Sequence, residues 1–300
     1  MNEHRSTATG SARDAMAPIR RVRSADGTVI ALEQVTRGPA ELVLLAGGPN
    51  LRSRWARTAA LLDGVFSCWL MDRRGKGDSG DTEDPTAYSF EREYEDLAAV
   101  VGSFSSPVSV AGHSSGATCA LGAAVHGLPV ASLVLYEPPW PVDDPLAGTE
   151  FIDEMEALID QGDRDQALEL AFTQMVRMPA EAVAALRHTP MWPEWMALAH
   201  TWPREMRAAS SLPRDLRQFA TVKAPTLLLV GALSPVHLQE STRAIAEAMP
   251  HASVAELPGQ GHGALDQAPQ VVAEVLTAFA GALTGTPAPG RNASLGQRRA

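Results

Sequence analysis

The apolar positions of this chain fall into short blocks, and from Leu42 onward several are unbroken runs with no polar alternation. They are Leu42–Ala46, Phe66–Met71, Val108–Ala111, Leu133–Tyr136, Thr226–Gly231 and Ser253–Leu257. Runs of this kind predict strands covered on both faces. Val29–Val35 is a further strand candidate. Between these blocks the apolar period changes to that of a helix over Arg52–Leu62, Phe90–Phe104, Ser115–His126, Leu238–Met249 and Pro269–Leu283. In the second of these, Leu97, Val100, Val101 and Phe104 share one face. Strand and helix in alternation predict an α/β fold, a mostly parallel, doubly wound sheet with helices on both faces. Ligands in such sheets bind beyond the carboxyl ends of the strands.

One stretch breaks the alternation. From Pro138 to about Thr221 no segment reads as a strand, and helical patterns cover Glu150–Gln161, Asp165–Val176, Ala180–Arg187 and Glu194–Ala208. Prolines punctuate them. This predicts a helical cap, 138–221, inserted into a core made of 19–137 and 222–284, with a leader (1–18) and a Gly/Pro-rich tail (285–300) expected to be disordered. The cap holds Trp140, Trp192, Trp195 and Trp202. These rings either pack the cap onto the core or line an apolar pocket. Trp140, Trp192 and Trp195 are the pocket candidates.

Composition narrows the function. The chain has 300 residues, 45% hydrophobic and 20% charged, with a net charge of −10. No Lys/Arg run could track phosphates, so a nucleic-acid partner is not expected. No apolar stretch approaches a membrane span, and the N-terminus lacks the apolar core of a secretory signal. The only cysteines, Cys68 and Cys119, lie in apolar surroundings. They read as buried thiols of a cytoplasmic protein, with no metal site and no disulfide framework. Nothing in the pattern specifies an oligomeric state.

The chemistry centres on Gly112-His113-Ser114-Ser115-Gly116, directly after the run Val108–Ala111 and directly before a helix. A strand turning sharply into a helix strains its apex residue and lifts that side chain above the sheet edge. Glycines two before and two after remove the clashing Cβ atoms. Ser114 is the apex and the candidate nucleophile. The Ser115 amide, at a helix N-terminus, is one candidate oxyanion donor. The Gly48 amide, in Ala46-Gly47-Gly48-Pro49 after another strand, is the second. Met71–Gly80, MDRRGKGDSG, lacks the spacing of a phosphate loop and reads as a structural turn held by Asp72, Arg73 and Asp78. Of the histidines, only His262 lies in a Gly-rich loop after a strand, LPGQGHGAL, able to bring an imidazole over Ser114. His113, next to the apex, is expected to point away from the Ser114 side chain. His262 is the candidate general base and acid.

With these motifs in this order over residues 25–284, the chain resembles the α/β-hydrolase fold superfamily in its capped form. The resemblance implies Ser114 as nucleophile, His262 as base and no cofactor. It argues against the branches whose nucleophile is an aspartate. Two departures stand out. Ala46 replaces the usual histidine of the oxyanion loop. More seriously, the family's acid follows the strand that ends at Gly231, and here the chain reads Gly231-Ala232-Leu233-Ser234-Pro235. Three readings stay open. Glu137, at the end of the preceding strand, supplies the acid. Ser114 and His262 form a dyad, with Ser234 or a carbonyl orienting the ring. Or hydrolysis is lost, and the protein is a cyclase, a lyase or a ligand-binding module. Asp266 is a weaker acid candidate. The favoured expectation is a serine hydrolase for small to medium apolar esters, lactones or thioesters.

Overall fold

A computed structural model describes residues 18–82, 84–142 and 146–285. Eight strands form one sheet: β1 (Arg20–Arg23), β2 (Val29–Gln34), β3 (Ala40–Leu45), β4 (Phe66–Met71), β5 (Val108–His113), β6 (Ser132–Tyr136), β7 (Thr226–Gly231) and β8 (Ala252–Leu257). Their spatial order is β1-β2-β4-β3-β5-β6-β7-β8. All pairs from β4 to β8 are parallel; β1–β2 and β2–β4 are antiparallel.

The described helices are α1 (Ala56–Ala60), α2 (Phe90–Gly102), α3 (Ser115–Val125), α4 (Thr149–Asp160), α5 (Arg164–Leu170), α6 (Ala180–Leu186), α7 (Met191–Leu198), α8 (Trp202–Ser210), α9 (Val236–Ala248), α10 (Ala264–Gln267) and α11 (Pro269–Thr284). A 3₁₀ turn, Arg52–Trp55, precedes α1, and a π-helical turn, Ala171–Met175, follows α5. The doubly wound α/β architecture expected from the pattern is present. Apart from Pro18 and Gly285, the predicted leader and tail lie outside the described residues.

The unalternating runs are buried for the reason the pattern suggested. One apolar layer joins Val43, Leu45, Val110 and Leu135 to Leu97, Val100 and Leu121 on α2 and α3. The opposite layer joins Leu42, Leu44, Ala111 and Leu229 to Val272 and Leu276 on α11. Two strands depart from expectation. Arg20–Arg23 carries one apolar residue and shows no run, yet it forms an edge strand by pairing with β2. β8 is the other edge, and Ser253 and Val254 are exposed on it.

Between β6 and β7 the described residues contain only helices, α4 to α8 and short turns. They have their own apolar cluster, which includes Ile152, Met155, Leu168, Phe172, Trp192, Trp195 and Trp202. The chain passes from β3 to β4 on one side and then to β5 on the other. The carboxyl ends of β3 and β5 therefore flank the sheet's switch point, where a crevice forms. Gly47 and Ser114 both stand there.

Candidate active site

Ser114 follows β5 directly and has φ 54° and ψ −129°, the strained turn that the pentapeptide predicted. Its amide donates to the Tyr136 carbonyl at 2.9 Å. The flanking glycines have steric reasons to be glycine. A Cβ at Gly116 would lie 2.6 Å from the Leu45 carbonyl oxygen, and one at Gly112 would run into Gly116 itself. Gly47 is equally tight: a Cβ there would collide with Ser114 Cβ and the His113 carbonyl. The β3–α1 loop thus lies directly against the elbow.

His262 sits in the loop after β8, and its Nδ1 is 2.5 Å from Glu137 Oε2. Glu137 is fully buried and, like Ser114, has a positive φ, 46°, immediately past its strand. Its other oxygen, Oε1, accepts from the Gly231 amide at 2.6 Å. Because β6 and β7 are neighbours, a carboxylate leaving β6 lies over the end of β7, the place the motif left without an acid. The other two side chains weighed for this role have different surroundings. Ser234 is buried with no partner for its hydroxyl, and Asp266 pairs with Arg54. With Nδ1 engaged, Nε2 is the ring nitrogen left for a hydroxyl or a leaving group. Ser114 and His262 line one cavity.

His113 packs against the histidine loop. Its ring faces that of His262 with centroids 4.4 Å apart, and its Nε2 donates to the His262 carbonyl at 2.9 Å. Burial, then the neighbouring His262 and Arg54, push its pKa well below the usual histidine range. It is a neutral donor that holds the histidine loop, together with the Tyr136 hydroxyl, which donates to the Gly261 carbonyl.

The Gly48 amide, the second oxyanion candidate, already has a partner. The Gly48 amide does not face open space; it donates to Ser115 Oγ at 2.8 Å. That hydroxyl also contacts Arg73 Nη1 at 2.9 Å and Glu205 Oε2 at 3.0 Å. Arg73 in turn binds Glu93 at 2.5 and 2.6 Å and Glu205 at 2.9 Å. Lys76 Nζ reaches the Gly48 carbonyl at 2.5 Å and pairs with Glu205. Burial alone would raise the Glu205 pKa, but the Arg73 and Lys76 charges overcome it and hold the carboxyl below its ordinary range. Asp72 does fix the turn as expected, accepting from the amides of Arg52 and Asp78 at 2.8 and 2.9 Å. Arg73 does more than hold a turn, because it reaches the elbow. Glu205, on α8, was missed.

The cavity measures about 810 Å³ and is walled by Phe172, Met175, Trp195, Trp202, Met206 and Leu233, with Arg54, Arg177 and His237 as polar interruptions. Of the pocket tryptophans expected, Trp195 lines it; its indole donates to Asn50 Oδ1 at 2.8 Å. Trp140 does not. It packs edge-on against Phe219, centroids 4.9 Å apart, and donates to the Pro213 carbonyl at 2.9 Å. Trp192 does not either; its N–H is tied to Asp165 Oδ1 at 2.7 Å and its ring lies within the helical cluster. Trp202 takes the vacated role. A second concavity of about 780 Å³, lined by Asp81, Tyr88, Arg204 and Arg207, contains none of the elbow residues. Among the described residues no cluster of three or more His, Cys, Asp or Glu could hold a metal ion. No described helix is long and apolar enough to cross a membrane.

Residues 42–275 match the family model described as the alpha/beta hydrolase family. Among solved structures, an alpha/beta hydrolase from Sphaerobacter thermophilus DSM 20745 is 37% identical, with 87% of this chain and 99% of that chain covered and a TM-score of 0.77. The esterase RhEst1 from Rhodococcus sp. ECU1013 is 22% identical over 88% and 99% of the two chains, with a TM-score of 0.66. An enol-lactonase from Burkholderia xenovorans LB400 is 18% identical over 87% and 99%, with a TM-score of 0.67. These last two share the fold. No curated protein matches the chain. The match spans the strands that carry Ser114 and Glu137 and the loop that carries His262, and on it the chain belongs to the alpha/beta hydrolase family.

Proposed function

We propose that this hydrolase is a serine hydrolase of small to medium, largely apolar carboxylic esters, lactones or thioesters, working through an acyl-enzyme on Ser114. The observation that carries this reading is the 2.5 Å contact between His262 Nδ1 and Glu137 Oε2 beside a cavity that also contains Ser114. Ser114 Oγ attacks the carbonyl carbon and His262 Nε2 takes its proton. The same imidazole then protonates the leaving group, and water repeats the sequence on the acyl-enzyme. Glu137 holds the Nδ1–H tautomer and stabilises the imidazolium. The Ser115 amide, first in α3, donates to the developing oxyanion.

Residues 138–221 act as a cap, with Trp195 and Trp202 supporting an apolar acyl or alkoxy group. Two buried free cysteines and the acidic net charge support a cytoplasmic protein with a small-molecule rather than a nucleic-acid partner. The test is hydrolysis of p-nitrophenyl butyrate together with peptide mapping after fluorophosphonate treatment. Turnover lost in Ser114→Ala, with the label on the peptide containing Ser114, is expected. Equal rates for wild type and Ser114→Ala would favour a protein without hydrolytic turnover.

A further inference from the structure

Among the described residues, three that are not glycine have a positive φ: Ser114 at 54°, Glu137 at 46° and Arg177 at 59°. A Cβ makes that backbone unfavourable, whereas glycine adopts it freely. Ser114 and Glu137 are the nucleophile and the acid of the reading above. Arg177 is distant from both in the chain, yet it lines the cavity that Ser114 and His262 share. It ends the π-helical turn Ala171–Met175. The Val176 amide donates to the Ala171 carbonyl at 3.1 Å, and the Met178 amide to the Phe172 carbonyl at 2.9 Å. A left-handed residue that closes a helix in this way is most often glycine. An arginine kept there at the expense of strain points to work done by its side chain.

The charges of the cavity wall narrow what that work is. Apart from histidines, its charged residues are Arg54, Arg177, Glu205 and Asp266. Arg54 pairs with Asp266, and Glu205 pairs with Arg73 and Lys76. Arg177 has neither a hydrogen bond nor an ion pair among the described residues. It is exposed, so it stands where the cavity opens to solvent. Its charge acts on His237, a half-buried ring in the same wall, and together with burial it keeps that ring neutral. A ligand filling this largely apolar space therefore meets one uncompensated positive charge. The chain as a whole carries −10, so the sign at the cavity is reversed locally.

We propose that Arg177 binds a carboxylate of the substrate, so that the preferred ester, lactone or thioester carries one negative charge away from the bond that is cleaved. This rests on the serine-hydrolase reading above and narrows its substrate class. One guanidinium balances one charge, and its planar fork matches the two oxygens of a carboxylate. A phosphate monoester would bring nearly twice that charge. The other arginine of the wall, Arg54, is already held by Asp266 and adds no free cation. The carboxylate takes no part in bond making. Ser114, His262 and Glu137 carry the chemistry, and Arg177 selects which esters reach them. A contact made equally in the ground state and the transition state acts on KM rather than on kcat.

Two acids test this, each against its own methyl ester. Mono-p-nitrophenyl adipate has the carboxylate on the acyl side, and p-carboxyphenyl butyrate has it on the leaving group. The quantity read is the preference, kcat/KM for the acid divided by kcat/KM for its methyl ester. For at least one pair, Arg177→Gln is expected to lower the preference by about tenfold, through KM. Arg177→Lys keeps the charge without the fork and should lose less. Raising NaCl from about 0.05 to about 0.5 M should lower the wild-type preference and leave that of Arg177→Gln level, because an exposed ion pair is screened. Arg177→Gly removes the side chain and relieves the backbone; it should unfold no earlier than wild type and lose the preference equally. It decides the matter should the glutamine variant lack a cooperative thermal transition. A preference within about twofold of wild type for both pairs, in a folded glutamine or glycine variant, overturns the proposal. Ser114→Ala is run beside them. Wild type no faster than that control on any of the esters would sink the hydrolase reading, and this inference with it. Wild type well above it, with the preference unmoved by Arg177→Gln, would sink this inference alone.

Discussion

Two buried carboxylates from different parts of the chain reach residues around the elbow, Glu137 the His262 ring and Glu205 the Ser115 hydroxyl. Glu137 comes from the core, one residue past β6, and has two partners: a backbone amide and an imidazole that can change its charge. Glu205 comes from the helical segment between β6 and β7, and its partners include the basic side chains of Arg73 and Lys76. The difference assigns their work. A carboxylate facing a titratable ring is placed to respond to a proton transfer. A carboxylate saturated by cations is placed to hold two pieces of the molecule together, here α8 and the loops after β3 and β4. A buried carboxylate close to a nucleophile is therefore not by itself evidence of a triad acid; its partners decide.

Isosteric neutralisation separates the two. Glu137→Gln keeps the shape but removes the charge that fixes the His262 tautomer. We expect kcat to fall by about 10⁴, roughly 5–6 kcal/mol of transition-state stabilisation, with KM little changed in steady-state ester assays. A drop of tenfold or less would mean that Glu137 is structural and that Ser114 and His262 work as a dyad.

Glu205→Gln should act chiefly on stability. It leaves Arg73 facing Glu93 alone and Lys76 without its carboxylate. Breaking one partner of a buried pair typically costs about 3–5 kcal/mol. Urea unfolding should show a loss of that order, greater than the loss in Glu137→Gln. The reverse ranking would overturn the division of labour between the two edges.

A smaller effect tests the core edge through pH. His237, at the start of α9 and lining the cavity, has its pKa lowered to about 4 by burial first, then by Arg177 and His262. The unfolded chain takes up a proton near the ordinary value of 6.5, which the folded state resists. Between those values the unfolded state binds more protons, so stability falls as pH drops from about 6.5 to 4. His237→Gln should flatten the pH dependence of the thermal midpoint in that window. An unchanged slope would show that His237 titrates normally.

Much of this molecule was legible because its signals are local. Phe66–Met71 and Thr226–Gly231 match their strands end to end, since an unbroken apolar run has no comfortable place except between two helical layers. The elbow was legible because Gly112 and Gly116 answer a steric demand within five residues. Glu137 could be nominated because a carboxylate directly after a buried strand must emerge at the sheet's edge. Glu205 could not. On α8 it stands between Arg204 and Arg207 and reads as one charge on a solvated face, until Arg73 and Lys76 are brought to it across more than a hundred residues. Trp140 and Trp202 exchanged roles because an indole's burial says nothing about whether it faces a cavity or the core.

Strand positions, the sharp turn and the hydroxyl at its apex follow from neighbours along the backbone, where apolar period and missing Cβ atoms act over a few residues. Which carboxylate meets which base, and which donor is already occupied, depends on groups distant in the chain meeting in a medium that water cannot screen. There an ion pair or a filled lone pair changes what a side chain can do, and only folding brings the partners together.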